Sequence, residues 1–572
     1  MDRSAAPAPA PAAVVGNGHG GAKEVASRTG RGGWSAAIFI IFVEVAERFA
    51  YYGLAGNLMM YLTNHLGQSL AGAAQNVNVW VGVSAIFPLV GAFVADSYLG
   101  RLRTIIISSL IYLAGMILLI SSVSVMPSAY RRSTFFTALY IIAVGEGGHK
   151  PCVQTFAADQ FDEDLPEEKI AKSSFFNWWY LGITAGATTA VFLIPYLQEH
   201  VAWSVGFGLL AGMVAMGLAI FLAGLKIYRR QGPLGSPFTR VAQVFVAAAR
   251  KWRVEEAGEG HHDVCCDEED EQGAAHEDGR SGARRLARTP QFRALDKATV
   301  IDAVDAASKA RNSWRLCTVT QVEEAKLILR LTPIWFFCLM FTVVQAQMHT
   351  FFTKQGSSMS WSHFRLAPAS LQGLVGLTIL VSVPLYDRVF VPLARKVTKH
   401  PSGISMLQRI GFGLFLSILN MAVSATVESR RVQVAIKHDL TSSPKATVPM
   451  SVWWLLPQYV LCGISDVFAI VGLQELFYDQ MPDEMRSLGA GLFISVVGFG
   501  SFASTAIISV VQATSSRAGH EWLGNNINTA HLDYYYWVLA GLSGLNLCAY
   551  VVVASRFVYK RVNDRLAFKG EV

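Results

Sequence analysis

Charge is what this chain of 572 residues has least of: Asp, Glu, Lys and Arg together make up 16% of it. A soluble protein carries about 25%, so there is too little charge here to coat several water-exposed domains. The 52% of residues that are hydrophobic must face something other than water. Cysteine is also scarce, at seven residues (Cys152, Cys265, Cys266, Cys317, Cys338, Cys462 and Cys548). Their spacing shows no pairing, which excludes a disulfide-built scaffold. No basic patch interleaved with aromatics accompanies the net charge of +7, so nucleic acid is not an expected partner. No nucleophile–base arrangement stands out, and an enzyme is not expected. His261, His262, Cys265 and Cys266 cluster without zinc-like spacing, so neither metal nor cofactor is expected. The Ala/Pro/Gly-rich first 33 residues lack the ordered regions of a signal peptide and read as a disordered cytosolic tail. What remains is an all-α integral membrane protein.

Its apolar runs are long enough to cross a hydrocarbon core of ~30 Å, about 20 residues each. They lie at Val77–Ala95, Thr104–Tyr130, Ser173–Gln198, Val201–Leu225, Leu331–Thr353, Leu366–Tyr386, Ile410–Val427, Ala446–Ser465, Ser487–Ser516 and Tyr534–Ser555. Two more, near 34–63 and 133–157, are interrupted by charges. Twelve helices are therefore expected, as a six-helix bundle over 34–225, a polar linker over 226–326 and a second bundle over 327–556. A tail over 557–572 follows. The linker holds an acidic run, Asp267 to Glu271, and a basic one at Arg284, Arg285 and Arg288. A duplicated half is a transporter architecture. Counting short-loop Lys and Arg gives about 19 on the side of the termini and about 9 on the other, which places both termini and the linker in the cytosol.

Where charge is this rare, the charges inside spans become informative. The first span reads IFVEVAERFAYYG and places Glu44, Glu47 and Arg48 on one helical face, with Tyr51 and Tyr52 a turn on. Each such charge costs roughly 2.5–3.5 kcal/mol at mid-membrane, so the three must face a polar cavity. The fourth span adds Glu146 and Lys150 in VGEGGHKPC, and the tenth carries Glu475 in VGLQELFYDQ. Glu44 and Glu47 against Arg48 and Lys150 can balance, and protonating one carboxylate leaves a positive site for an anionic group. Proton and anion would then enter together, the proton being the coupling ion, although a permanent ion-pair clamp fits the same residues. Glu475, with Asp466 nine residues earlier as a further candidate, would supply a negative pole opposite Lys150, and a bipolar cavity suits a zwitterion. GAFVADSYLGRLRT after the second span places Asp96 and Arg101 where they could latch helix ends, a gating role. Gly147, Gly148 and Pro151 suggest a broken or kinked helix. GEGGHKP is not a phosphate loop, because His149 separates the glycines from Lys150 and Pro151 replaces the Ser/Thr.

These segments together resemble the major facilitator superfamily, and within it the proton-dependent oligopeptide transporters and their plant nitrate/peptide branch. The resemblance is carried by Glu44-x-x-Glu47-Arg48 with FAYYG, by Gly91-AFVADSYLG-Arg101, and by GEGGHKPCVQTFAADQFD from Gly145. FFNWWYLG from Phe175 and QELFYDQMPDEMRSLG from Gln474 add to it. It implies a major facilitator fold and proton-coupled uptake by alternating access. Glu44 and Glu47 would carry the proton, with Lys150 as their charge partner. Arg48, Tyr51, Tyr52, Lys150, Gln345 and Glu475 would line the substrate site. Two positions depart from the family: Ala55 stands where bacterial peptide carriers often have a second arginine. Gln345, in Val344-Gln345-Ala346-Gln347, stands where the nitrate-binding member has histidine. Small peptides or related carboxylates are the expected substrates, ahead of nitrate, hormones and other metabolites. A transporter-derived sensor that signals through the linker is the reading from another class. The plasma membrane is the expected location, ahead of the vacuolar one.

Overall fold

In the lipid-facing parts of such a chain every backbone polar group must be satisfied within its own segment, and helices do this throughout. The computed structural model describes residues 32–161, 166–230, 235, 237–252, 288–302, 305, 312–361, 366–398, 404–443, 446–481 and 486–559. Residues 1–31 and 560–572 of the two tails, the acidic run, Arg284, Arg285 and the His261–Cys266 cluster lie outside these residues.

The first half contains α1 (Gly33–Asn64), α2 (Leu70–Val94), α3 (Arg101–Ser124), α4 (Ser128–Ala158), α5 (Pro166–His200) and α6 (Trp203–Ala223). A short α7 (Pro237–Arg250) follows in the linker. The second half contains α8 (Val319–Gln347), α9 (Gly373–Leu385), α10 (Met406–Lys437), α11 (Leu456–Gln480), α12 (Arg486–Arg517) and α13 (Leu532–Ser555). Among the described residues, ten helical segments are long and apolar enough to cross a membrane. Helices α1 and α4, of 32 and 31 residues, have the length but carry the charges singled out above. Within the first half α1 packs on α5 and α6, while α4 packs on α2 and α3; in the second, α10 packs on α11 and α13, and α8 on α12. Helices α2 and α12 join the halves along their length.

Three boundaries differ from the sequence reading, each for a local reason. Helix α3 stops at Ser124 because Pro127 cannot continue it and instead stands at the N-cap of α4. The expected span Ala446–Ser465 is displaced to Leu456–Gln480, because Val448–Ser451 pairs as a strand with Met359–Ser360. Helix α8 begins at Val319, eight residues before the expected bundle boundary. Thr318 and Gln321 form a capping box there, and linker residues neutralise the charges of the first turns: Lys326 meets Asp296 at 2.6 Å and Glu323 at 2.8 Å.

The linker is thus partly folded onto the second bundle. Helix α7 was not anticipated, although Val241, Val244 and Ala248 recur on one face. Val244 and Ala247 pack against Leu295, Ala298, Cys317, Val322 and Ala325. Its Phe238 also meets Phe93 at the end of α2 edge-on, centroids 6.4 Å apart.

The halves show one shared irregularity. A five-residue π-turn follows α2 at Ala95–Leu99, and another follows α9 at Tyr386–Phe390. These positions correspond in a duplicated bundle, although the sequence similarity between halves is faint.

Candidate functional site

Glycines bring the charged helices together. A Cβ at Gly91 of α2 would lie 2.2 Å from the Gly147 carbonyl oxygen, and one at Gly147 would lie 2.4 Å from the Phe87 Cβ. Gly145 and Gly148 similarly abut Tyr112 and Ser108 of α3. The glycine run is therefore a close-packing surface, and α4 continues unbroken through Pro151. It delivers Glu146, His149 and Lys150 to the interior beside α1.

There the carboxyl groups of Glu44, Glu47 and Glu146 are 2%, 3% and 0% exposed. Arg48 Nε lies 2.9 Å from Glu44 Oε1 and 2.9 Å from Glu47 Oε2, so one guanidinium serves two acids. Lys150 forms an ion pair with Glu146 one turn earlier on its own helix, and its Nζ stands 3.8 Å above the Tyr51 ring. The resemblance implied Lys150 as the partner of the α1 motif; the ion pair seen is with Glu146. Sequence reasoning noticed Glu146 but left it out of the charge balance, and its place one turn before Lys150 was the available signal. Behind Glu47, a cavity of about 10 Å³ is lined by Ser109, Tyr112 and His149, about the size of one water-sized sphere. Glu47 Oε1, Tyr112 Oη and His149 Nδ1 have no hydrogen-bond partner.

The second bundle contributes fewer charges. Gln345 of α8 donates to Asp466 Oδ1 at 2.7 Å and to Ser465 at 3.3 Å. Tyr52 lies within electrostatic range of Arg48, Glu47, Glu146 and Asp466, so it stands between the cluster on α1 and α4 and the acid on α11. Glu475 does not join them. It is 50% exposed near the end of α11 and paired with Arg409 at 3.0 Å, so the negative pole facing the first bundle is Asp466.

Asp96 and Arg101 are brought together at 3.5 Å, and Arg101 also pairs with Asp159 at the end of α4. The turn is tight because Gly100 adopts φ 76°, a left-handed conformation that glycine accepts without strain. These contacts fasten the linker-side ends of α2, α3 and α4 within one bundle. On the opposite side, hydrogen bonds cross between bundles. Lys354 donates to Asn64 at 3.0 Å, Gln372 to the Gly56 carbonyl at 2.9 Å, Asn78 to Ser504 at 3.0 Å and Gln75 to Ser509 at 3.0 Å. These four side-chain hydrogen bonds between the bundles fall on that far half.

Known proteins share this architecture and much of this sequence. The PTR2 model, which describes the POT family, matches residues 102–523. Protein NRT1/PTR FAMILY 5.4 of Arabidopsis thaliana is 57% identical over 538 residues, covering 94% of this chain and 96% of its own. Protein NRT1/PTR FAMILY 5.10 of the same plant is 47% identical over 559 residues, covering 94% and 95%. An auto-inhibited POT family peptide transporter has the same fold, with a TM-score of 0.69 at 22% identity over 93% of this chain and 98% of its own. A peptide transporter POT in complex with alafosfalin superposes with a TM-score of 0.62 at 16% identity over 94% and 98%. The all-α architecture is therefore the major facilitator fold, and the chain is a membrane transporter, not an enzyme, that belongs to the POT family.

Proposed function

We propose that this transporter is a proton-driven symporter for small zwitterions or carboxylates of peptide type. The observation that carries the reading is the polarity of the central site. Lys150 and Arg48 lie on one bundle and Asp466 on the other; Tyr51 lies beside Lys150, and Tyr52 lies in range of Arg48 and Asp466. A carboxylate would engage the cations and an amino group Asp466, so one short peptide would bridge the bundles. Gln345, held by Asp466, adds a neutral amide beside the amino end. Alafosfalin, bound by a protein of the same fold, is a ligand of this zwitterionic kind. The acid beside Gln345 would repel nitrate, which leaves that anion the second reading.

The termini and linker are assigned to the cytosol from the excess of basic residues on their side, and the plasma membrane is the proposed location. In that orientation the far half, where the bundles are joined, would face the exterior, and the arrangement would be an inward-facing one. Asp96 and Arg101 would act as a gate fastening, tightening or releasing as α2, α3 and α4 move together. Glu44 and Glu47 would share the proton traffic, with no cofactor beyond the proton.

Uptake into proteoliposomes with an imposed pH gradient, comparing dialanine with nitrate, tests the reading. Gradient-driven dialanine accumulation that falls in Glu47→Gln is expected. Flux indifferent to the gradient, or unchanged in Glu47→Gln, would overturn the coupling.

A further inference from the structure

The central site contains more acid than the α1 motif alone would supply. Glu44, Glu47 and Glu146 contribute three negative charges and Arg48 and Lys150 two positive ones, so with every group ionised the sum is −3 + 2 = −1. All five are at least 85% buried, with side-chain exposures of 2%, 3%, 0%, 15% and 12%. An uncompensated charge in such a place is costly, so a cluster this enclosed favours the uptake of a proton. Lys150 is also not free to receive a substrate anion, because the nearest carboxylate is on its own helix.

We propose that Glu146 is a proton-coupling group of this transporter: protonation of its carboxylate breaks its ion pair with Lys150 and releases that ammonium to the anionic group of the substrate. The inference rests on the symporter reading above and specifies which acid exchanges its proton for the substrate. The step is a proton transfer and an exchange of ion pairs. A proton arrives on a Glu146 oxygen, the Glu146–Lys150 pair opens, and a substrate carboxylate pairs with Lys150. The charge of the cluster is the same before and after, since one proton and one anion enter together. On release the order reverses: the carboxylate leaves, Glu146 loses its proton, and the pair closes again.

The surroundings suit a group that changes state. Glu146 Oε2 has no hydrogen bond, and Oε1 meets the Lys150 ammonium, so the pair itself is what holds the carboxylate in its ionised form. From α1, Glu47, Arg48, Tyr51 and Tyr52 face it, and from α3, Tyr112. Lys150 faces it from α4, where His149 lies in range of Glu47, Arg48 and Lys150. Among its described neighbours, the α2 residues packed against the glycine run, such as Phe87 and Gly91, do not titrate. Arg48 is already shared by two acids, so Lys150 is the cation with a single competitor to displace.

Coupling between two ligands is reciprocal, so a proton that promotes substrate binding makes substrate affinity fall as pH rises by the same factor. Glu146→Gln removes the proton site while keeping the shape. In proteoliposomes with dialanine as probe, gradient-driven accumulation should fall by about tenfold or more, within the ~5–150-fold range of ordinary coupling. Exchange of labelled for unlabelled dialanine without a gradient should persist, and Glu146→Asp should recover part of the driven uptake. Infrared pH titration of the protein alone supplies a second readout. A protonated-carboxyl band should titrate in the wild type and be lost in Glu146→Gln, with thermal melting in detergent confirming that the variant is folded. Wild type that ignores the gradient overturns the symporter reading and the inference with it. Wild type that accumulates dialanine while folded Glu146→Gln does so equally well, or retains the titrating band, overturns the inference alone.

Discussion

The two bundles share a fold but treat buried charge in opposite ways. In the second, Glu428 and Arg431 of α10 are both 0% exposed and fully engaged. Arg431 reaches both Glu428 oxygens at 2.7 and 2.8 Å, the Asn528 side chain at 2.9 Å and the Ile527 carbonyl at 2.6 Å. Gln355 donates to Glu428 at 2.7 Å. In the first bundle Glu44 Oε2, Glu47 Oε1 and Glu146 Oε2 have no hydrogen bond, and two cations must serve three acids. Full satisfaction makes a buried pair a fixed strut, whereas partial satisfaction leaves groups able to exchange partners. Burial alone does not separate these cases; hydrogen-bond saturation does.

The comparison is broken most directly at Lys150. Lys150→Gln removes the ammonium to which a substrate carboxylate would bind and leaves Glu146 without its cation. Losing one member of a buried pair costs about 3–5 kcal/mol, or roughly a hundredfold or more at ~1.4 kcal/mol per decade. Dialanine uptake should fall by that order, while the melting temperature moves less, because Glu146 can neutralise itself by taking a proton. Arg431→Met should show the reverse pattern. Glu428 has no substrate to answer to, so the loss of ~3–5 kcal/mol should appear in thermal melting, while the folded fraction still transports. The double variant Glu428→Gln/Arg431→Met should regain part of the stability. Melting curves and initial rates per folded molecule, measured on the same preparations, decide whether the two bundles differ as argued.

Asp466→Asn probes the negative pole with a smaller expected effect. A hydrogen bond to a charged group contributes ~1.5–3 kcal/mol, so dialanine affinity should weaken by about ten- to a hundredfold. An N-acetylated dipeptide, lacking the amino charge, should be nearly indifferent to the change. Equal losses for both probes would remove Asp466 from substrate recognition.

Much of this was legible in the sequence because charges in apolar runs are few and helical spacing fixes which of them share a face. Glu44, Glu47 and Arg48 follow from spacings of three and four on α1. Partner choice across helices was not legible. Glu146 stands one turn before Lys150 on α4, so that pair was offered by spacing, but the close packing of Gly145, Gly147 and Gly148 on α2 and α3, which brings α4 so near them, was not. Asp466 and Glu475 are both acids on one helix, and only the true position of α11, ten residues later than its apolar run suggests, decides which is central. Helix α7 was obscured by the polar linker around it, although its apolar spacing was present.

Glu475 is where the smallest effect is expected, and it sharpens the contrast between the acids of α11. Its carboxylate is half exposed and paired with Arg409, whose guanidinium also donates to the Val467 carbonyl and sits 4.3 Å from the Tyr386 ring centre. A half-exposed pair is screened by water and contributes about 0–1 kcal/mol. Arg409 would keep its other two contacts if the acid were removed. Glu475→Gln should therefore change dialanine uptake by less than about fivefold, with no shift in preference between dialanine and its N-acetylated form. Were Glu475 instead to meet the substrate's amino end, the preference would collapse in this variant and survive in Asp466→Asn. The two substitutions, nine residues apart on one helix, thus place the negative pole of the site by opposite outcomes.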